Sequence, residues 1–137
     1  MGALSKPEIA FVVIGDPVGK QRPRVTGRRA ITPKETRAYE NSVAYSALAE
    51  LAELSNEDRK KWPTKEQVYL DMWMFHSKKR GRRPDPDNVI KSILDGLTGV
   101  LWRDDVNVLP RVQAVRINHE RSGIKIAISF TGYKLWQ

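Results

Sequence analysis

Apolar residues recur along this chain with two different periods, and the helical period marks two segments. Between Ile90 and Leu97, four apolar residues fall at i, i+3, i+4 and i+7, which places their side chains on one face of an α-helix. Asp87 precedes this stripe as a suitable N-cap, and Gly99 is expected to end the helix. A similar spacing predicts an amphipathic helix over roughly residues 34–54.

The strands are marked by apolar runs or by alternation of apolar and polar residues. Alternation is clearest near the C-terminus, where it predicts a strand with one buried face. Strands are predicted over residues 9–14, 68–75, 106–118 and 124–130. Pro110 interrupts the third strand early, and a turn at Arg121-Ser122-Gly123 is expected to join the last two strands as a hairpin. The resulting order, β-α-β-α-β-β, predicts a single α+β domain over residues 1–137, with a mixed β-sheet and two helices packed on it.

Composition restricts the kind of partner that this domain can bind. Hydrophobic residues make up 40% of the 137, enough for a core, and the net charge of +8 favours a polyanion, with nucleic acid ahead of an acidic membrane surface. No run of about 18 apolar residues exists, so no membrane-spanning helix is expected. Cysteine is absent, which excludes disulfides and Cys-based zinc sites, and residues 1–8 lack the apolar segment of a signal peptide. These features are compatible with a reducing, cytoplasmic setting.

Two segments concentrate positive charge and are candidates for contact with nucleic acid. A single basic run is often only solvated surface or a flexible arm, but phosphate contacts from Lys and Arg supply most of the sequence-independent affinity for nucleic acid. The second run leads directly into a pair of acidic residues, which favours chemistry on a phosphodiester over simple binding. The candidate DNA-contacting residues are Lys20, Arg22, Arg24, Arg28 and Arg29 in the first segment and Lys78, Lys79, Arg80, Arg82 and Arg83 in the second.

Four carboxylates flank the second predicted helix. Asp85 and Asp87 lie at its start, separated by a proline, and the pair Asp104-Asp105 lies in the connection beyond its end. In a sheet fold, the strand that follows can bring the second pair back beside the helix start. Clustered carboxylates repel one another unless a cation compensates, and Mg²⁺ prefers carboxylate oxygens, water and substrate phosphates. A metal site and a simpler interpretation, a helix cap with solvated surface acids, both remain open at this point.

Lys91 is a cation on the same predicted helix as this acidic pair. It lies four residues after Asp87, on the same side of the helix and away from the apolar stripe. One interpretation is a surface ion pair between successive turns. The other is a cation that faces a phosphate where negative charge develops. Asp95, one turn further on, is expected to be structural.

Aromatic residues do not form an obvious stacking platform for bases. Trp73 and Phe75 alternate in a predicted strand and are expected in the core. Trp102 is expected to anchor the loop before Asp104 rather than to stack on a base. An RNA-binding protein that recognises bases by stacking is therefore disfavoured. The sequence also lacks an EF-hand loop, a P-loop and a Gly-x-Ser-x-Gly nucleophile motif.

The segment from Arg82 to Val108, RRPDPDNVIKSILDGLTGVLWRDDVNV, resembles the core of the RusA-type Holliday junction resolvases, small endodeoxyribonucleases common in phages and prophages. The shared pattern is a basic run, Asp-x-Asp-Asn, a lysine four positions after the second Asp, an apolar helix that ends in Asp-x-Leu-Thr, and Trp-x-Asp-Asp. A weaker similarity covers GKQRPRVTGRRAITPKETRAYE, which follows the first predicted strand. Pro86 departs from the pattern, in a position where relatives carry a hydrophobic residue such as leucine, but no catalytic group is missing.

The resemblance implies a magnesium-dependent endonuclease, with Mn²⁺ as a substitute metal, that resolves four-way DNA junctions by paired nicks as a homodimer. Asp85, Asp87 and Asp105 would be the catalytic carboxylates that bind magnesium, and Asp104 is a further candidate ligand. Lys91 would be an essential catalytic partner. The enzyme would act in the bacterial cytoplasm, encoded by the host, a phage or a prophage.

Two other functions are compatible with the same residues. A nuclease that acts mainly on flaps or other branched DNA would differ in its relative cleavage rates across substrates. A non-catalytic basic DNA-binding module, whose acids only cap a helix, would bind junctions in a salt-dependent way but would show no magnesium-dependent nicking.

Overall fold

The computed structural model of the chain describes residues 6–20, 24–26, 29–31, 34–77 and 83–133, with the backbone alone for 24–26 and 29–31. Its elements in chain order are β1 (Ile9–Ile14), β2 (Arg24–Thr26), β3 (Arg29–Ile31), α1 (Lys34–Ala52), α2 (Asn56–Arg59), β4 (Val68–His76), α3 (Pro86–Leu97), a 3-10 turn (Asp105–Asn107), β5 (Val108–Ile117) and β6 (Gly123–Phe130). The predicted α+β class is confirmed, and β2, β3 and α2 are additions within segments predicted as connections. None of the helices in these ranges is long and apolar enough to cross a membrane.

Four strands form one mixed sheet in the order β1-β6-β4-β5, in which β4 and β5 are parallel and the other neighbours are antiparallel. The predicted hairpin between the last two strands is therefore wrong, because β4 lies between β5 and β6. Strand β5 is largely exposed and contains Pro110, which cannot donate a ladder hydrogen bond and so favours the edge of a sheet. Strand β6 is mostly buried, which suits its place between two neighbours. Helix α3 provides the crossover that a parallel pair requires.

One face of this sheet carries the hydrophobic core. The core joins residues of α1 and α3 to fully buried side chains of the strands, such as Leu70, Met72 and Ile126. Gly96 of α3 lets the two helices approach each other, because a Cβ at this position would lie 2.9 Å from the carbonyl oxygen of Glu40. The predicted packing of two helices on a mixed sheet is thus confirmed: α1 and α3 contact each other, and they reach the sheet at β1 and β5, respectively.

The other face of β4 is only half-buried. Tyr69, Trp73 and Phe75 lie on it, alternating with residues of the core side. The guanidinium of Arg111 lies 3.8 Å from the centre of the Tyr69 ring, and the ammonium of Lys125 lies 5.4 Å from that of Trp73. The expectation that Trp73 and Phe75 belong to the core is wrong, because the packed helices cover the opposite face of their strand.

Candidate active site

The start of α3 presents two carboxylates to solvent. Asp85, not Asp87, is the N-cap, since Pro86 takes the first helical position, where its fixed φ and missing N–H are well tolerated. The backbone carbonyl of Asp85 accepts the first helical bonds, from Asn88 at 3.0 Å and Val89 at 3.1 Å. Its side chain makes no capping hydrogen bond, and both Asp85 and Asp87 are exposed. The sequence-based choice of Asp87 as the cap is corrected, and both carboxylates are left available to a ligand.

The first basic segment packs directly on this helix start. The N–H of Lys20 donates to the carbonyl of Asn88 at 2.9 Å. At Gly19 a Cβ would lie 2.9 Å from the Cβ of Pro84 and 3.1 Å from that of Asn88. Only glycine therefore fits this close approach, which joins the loop after β1 to the residues on either side of Asp85.

Lys20 connects the two long helices rather than extending into solvent. Its ammonium lies 2.7 Å from a carboxylate oxygen of Glu40 on α1 and 2.8 Å from one of Asp95 on α3. Burial lowers the pKa of Lys20, but the hydrogen bonds and charges of Asp95 and Glu40 outweigh burial and hold the pKa above its ordinary value. The expected structural role of Asp95 matches this contact, whereas Lys20 is engaged by carboxylates and not presented to a phosphate.

A polar cluster that sequence reasoning missed joins the ends of β1 and β4. Asp16 accepts hydrogen bonds from the N–H of Ser77 at 2.7 Å and from its hydroxyl at 2.5 Å. His76 is buried beside it, and its Nε2 has no partner among the described residues. Burial, and then the charge of Arg83, lower the pKa of His76 below its ordinary value, although Asp16 opposes them. Both effects favour the neutral form of the imidazole.

The second pair of acids lies in a turn anchored by Trp102. This side chain is fully buried, and its indole N–H donates to the hydroxyl of Thr98 at 3.1 Å. Backbone bonds join Gly99 to the carbonyl of Trp102 at 2.7 Å and Thr64 to that of Leu101 at 3.1 Å. The prediction that Trp102 anchors the loop is confirmed, as is the end of α3 at Gly99, whose φ of 88° suits glycine.

Asp104 and Asp105 differ in their local bonding although both are exposed. The Asp104 carboxylate accepts a hydrogen bond from the N–H of Val106 at 3.1 Å and caps the 3-10 turn. Asp105 is the first residue of that turn and has no such capping role. Of the two carboxylates, that of Asp104 takes part in the hydrogen bonds that cap the turn, and that of Asp105 does not.

A single chain does not bring the two pairs of acids together. Because β4 and β5 are parallel and α3 crosses between them, α3 starts near the end of β4 and ends near the start of β5. Its 12 residues correspond to about 18 Å. Strand β5 begins after Asp104 and Asp105 and runs away from them, so these two residues stay at the far end of α3. The expectation that this strand returns Asp104 and Asp105 to the start of α3 is wrong. Within the described ranges, no three acidic or histidine side chains are grouped so as to hold a metal ion.

The remaining candidates are basic residues. Lys91 is exposed on α3, one turn after Asp87, and the ion pairs found among described residues do not include it. Arg83 is half-buried just before Asp85, and Arg24 and Arg29 lie on the β2–β3 hairpin, where only the backbone is described. Outside the described residues lie Arg22, Arg28, Lys78, Lys79, Arg80 and Arg82.

Comparison with known proteins agrees with the resemblance seen in the sequence. Residues 15–129 match the family model described as Endodeoxyribonuclease RusA. The match covers far more than half of the 137 residues and includes α3 with all four flanking acids. No curated protein sequence matches the chain.

Proposed function

We propose that this chain, which belongs to the RusA family of endodeoxyribonucleases and is a nuclease of the Holliday junction resolvase type, cuts four-way DNA junctions by paired nicks as a magnesium-dependent homodimer. The observation that carries the proposal is the exposed pair Asp85 and Asp87 at the start of α3, directly after a basic segment. The protein would work in the bacterial cytoplasm, in the service of the host or of a phage.

The donor set at the start of α3 suits a hard divalent cation. Two carboxylates one residue apart, neither of them buried, offer the oxygen ligands that Mg²⁺ prefers, and Mn²⁺ accepts the same set. Asp85 and Asp87 would hold the metal together with a third carboxylate, Asp105. When bound, the metal would polarise the scissile phosphate and make a water molecule more acidic. A simple cap does not explain why the side chain of Asp85, at the N-cap, bonds none of the helical N–H groups.

A second copy of the chain would supply that third carboxylate. Asp105 lies at the far end of α3 from Asp85, about 18 Å along the helix. A metal ion needs all its ligands within about 2 Å of itself, so one chain with this geometry cannot provide Asp85 and Asp105 to one ion. Each site would therefore combine Asp85 and Asp87 of one protomer with Asp105 of its partner. Such a dimer carries two sites, as paired nicks require.

The other residues would position DNA and stabilise charge. Lys91, exposed one turn from Asp87, would face the phosphate on which negative charge develops. Arg83, with Arg24, Arg29 and the basic residues outside the described ranges, would hold the junction arms by phosphate contacts. Asp104 would order the turn that carries Asp105, since it caps that turn.

Cleavage of a synthetic four-way junction, with and without Mg²⁺, tests the activity. We expect nicking that requires the metal and that Asp85→Asn and Asp87→Asn abolish while folding is retained. Full activity in both variants would rule out the site. Parallel assays on flap and three-way substrates distinguish a junction resolvase from a nuclease of other branched DNA.

Mixing two inactive variants tests whether the site is shared. A dimer of one Asp85→Asn chain and one Asp105→Asn chain contains one intact site if the site spans two protomers, and none if each chain forms its own. After random exchange, about half of the dimers would be mixed, and the nicking of one strand would recover to about a quarter of the wild-type rate. No recovery after exchange would show that the site lies within one chain.

A further inference from the structure

The face of the sheet that α1 and α3 leave uncovered carries aromatic side chains. A solvated sheet face usually carries polar residues, but here β4 presents the half-buried rings of Tyr69, Trp73 and Phe75. On the neighbouring strand β6, Ser129 lies opposite Tyr69 and Gly123 lies opposite Phe75. Because both of these residues are small, the first and last rings border open space on that side of β4.

Two cavities lie along these rings. One has a volume of about 540 Å³ and is lined in part by Tyr69 and Trp73, and the other has a volume of about 490 Å³ and is lined in part by Phe75 and Ile14. Lys125 lines both cavities, so they adjoin and form one aromatic groove along β4 and β6. Each volume lies within the range of sites that bind small molecules.

Two of the rings in the aromatic groove already hold cations over their faces. The guanidinium of Arg111 lies 3.8 Å from the centre of the Tyr69 ring, and the ammonium of Lys125 lies 5.4 Å from that of Trp73. A ring that attracts a cation offers the same π surface to a nucleobase. A base that replaced Lys125 on Trp73 would leave this flexible side chain beside it, free to contact a phosphate.

The charge of the aromatic groove is positive once its internal pairs are counted. Asp71 accepts hydrogen bonds from two side chains of β5, and Glu8 accepts one from Lys61 at 3.1 Å, so both acids are neutralised. Lys125 and Arg116, which lies opposite Phe75 on β5, are exposed. In the part of the chain that the structure describes, neither of these two cations belongs to an ion pair. The surface therefore complements an anion that also carries flat rings.

We propose that the aromatic groove binds single-stranded DNA, with bases stacked on Trp73 and Phe75 and phosphates held by Lys125 and Arg116. Proteins that bind single strands combine aromatic side chains with a positively charged groove, and RNA-recognition domains stack bases on the open face of a four-stranded sheet. DNA is the ligand because the chain belongs to a family of endodeoxyribonucleases. The site goes beyond the proposed function, since it uses none of the carboxylates that flank α3 and requires no metal.

Fluorescence anisotropy with a labelled oligothymidine of about 15 nucleotides, in EDTA to prevent cleavage, tests the groove. Trp73→Ala should weaken binding by about 5- to 100-fold, because the base loses its stacking partner. Trp73→Phe keeps a ring and should retain most of the affinity. Tyr133→Ala removes an exposed ring outside the aromatic groove and should bind as the wild type does. Equal affinity of Trp73→Ala and the wild type would overturn the proposal.

Two further ligands separate stacking from contact with phosphates. An abasic strand of the same length has the phosphates without the bases, and a duplex keeps its bases stacked inside the helix. Trp73→Ala and the wild type should therefore bind each of these ligands equally. A loss of affinity that is the same for oligothymidine, the abasic strand and the duplex would contradict stacking on Trp73. Tighter binding of oligouridine than of oligothymidine would contradict the assignment to DNA.

A second pair of variants tests the phosphate contact and does not depend on how Trp73→Ala folds. Lys125→Gln should reduce the slope of log affinity for oligothymidine against log salt concentration by about 0.7, as expected for one lost contact to a single strand. Lys60→Gln, at an exposed lysine beyond α2, is the matched control and should leave the slope unchanged. Circular dichroism checks the folding of both variants. An equal change of slope in both would overturn the role of Lys125.

These measurements separate the aromatic groove from the cleavage site. Asp85→Asn should bind oligothymidine as the wild type does, because Asp85 lies outside the aromatic groove. A protein that binds oligothymidine through Trp73 but does not cut junctions would retain the groove and lose the proposed function. A protein that cuts junctions but whose binding of oligothymidine does not depend on Trp73 would retain the function and lose the groove.

Discussion

The two ends of helix α3 differ in how their polar groups are used. At the C-terminal end, Trp102 is fully buried and bonded to Thr98, and short backbone bonds close the turn around it. At the N-terminal end, Asp85 and Asp87 are exposed, and the cap residue bonds none of the helical N–H groups through its side chain. A satisfied end adds stability, whereas an unsatisfied one costs stability and leaves groups available for a ligand.

This difference indicates a division of roles within one helix. The C-terminal end fixes the position of Asp105 relative to the sheet, because the anchored turn leads directly into it. The N-terminal end offers the remaining carboxylates and is held from outside by the loop that packs at Gly19. The comparison therefore predicts that changes at the N-terminal end alter activity without altering stability, and that changes at the C-terminal end do both.

The largest effect is expected from Asp87→Asn. The amide keeps the size of the carboxylate but not its charge, so the affinity for a divalent ion falls, and junction cleavage should drop by about 10³-fold, or about 4 kcal/mol. The free energy of unfolding should change by less than about 0.5 kcal/mol, because the side chain is exposed. Glu57→Gln on α2, also an exposed acid, is the control and should cleave normally. If Asp87→Asn cleaved junctions normally, the proposal that the N-terminal end of α3 serves activity would be wrong.

The next effect concerns the anchored end. Trp102→Ala removes a fully buried ring and its hydrogen bond to Thr98, and should lower the free energy of unfolding by about 3–5 kcal/mol, measured by urea denaturation. Cleavage should also fall at temperatures where the variant is folded, since Asp105 loses its support. Tyr133→Ala, in an exposed position, should be nearly neutral. A loss below about 1 kcal/mol would show that the turn is held by other contacts.

Local patterns were sufficient to predict much of this helix. The apolar spacing from Ile90 to Leu97 and the stop at Gly99 depend only on neighbours in sequence, and both are confirmed. The anchoring role of Trp102 followed from its place between a helix and a polar loop. The cap is Asp85 and not the predicted Asp87, because proline favours the first helical position and the helix therefore begins at Pro86.

The parts that could not be predicted depend on contacts between distant segments. The order of β5 and β6 in the sheet depends on which strand tolerates an edge, and a hairpin-like turn gives no information about β4 coming between them. Glu40 is 20 residues from Lys20, and nothing in either neighbourhood marks their ion pair. The same holds for Asp105, whose distance from Asp85 depends on the direction of the crossover.

A smaller effect, dependent on pH, is expected where β5 is fixed to β4. Burial alone would raise the pKa of Asp71, but hydrogen bonds from Arg111 at 2.7 and 2.8 Å and from Gln113 at 2.7 Å outweigh it and lower the pKa below its ordinary value. Because the folded-state pKa is the lower one, this stability is present above the unfolded-state pKa of about 4 and is lost as the pH falls through the folded-state pKa. Asp71→Asn should therefore be about 2 kcal/mol less stable at pH 7.

The matched measurement for Asp71 is urea denaturation from pH 7 to pH 2. The difference between the wild type and Asp71→Asn should shrink below about pH 4, as the wild-type carboxylate becomes protonated. A difference that stays constant over this range would assign the loss to packing instead of charge. Arg111 lies on β5, the strand that follows Asp105. The Asp71→Asn variant therefore also tests whether the hydrogen bonds between Asp71 and Arg111 are needed to hold β5 against β4.

The smallest effect is expected for Lys20, whose backbone bonds Asn88 near the start of α3 but whose side chain pairs with Asp95 near its end. Lys20→Gln removes the charge held between Glu40 and Asp95, and should lower the free energy of unfolding by at most about 1 kcal/mol, since the pair is partly exposed. The slope of log affinity for a four-way junction against log salt concentration should not change, because a lysine bonded to two carboxylates releases no counterions from DNA. Lys91→Gln, in contrast, should reduce the slope if Lys91 contacts a phosphate. A reduction of about one unit for Lys20→Gln would instead show that Lys20 leaves its carboxylates for DNA, as its place in a basic segment predicts.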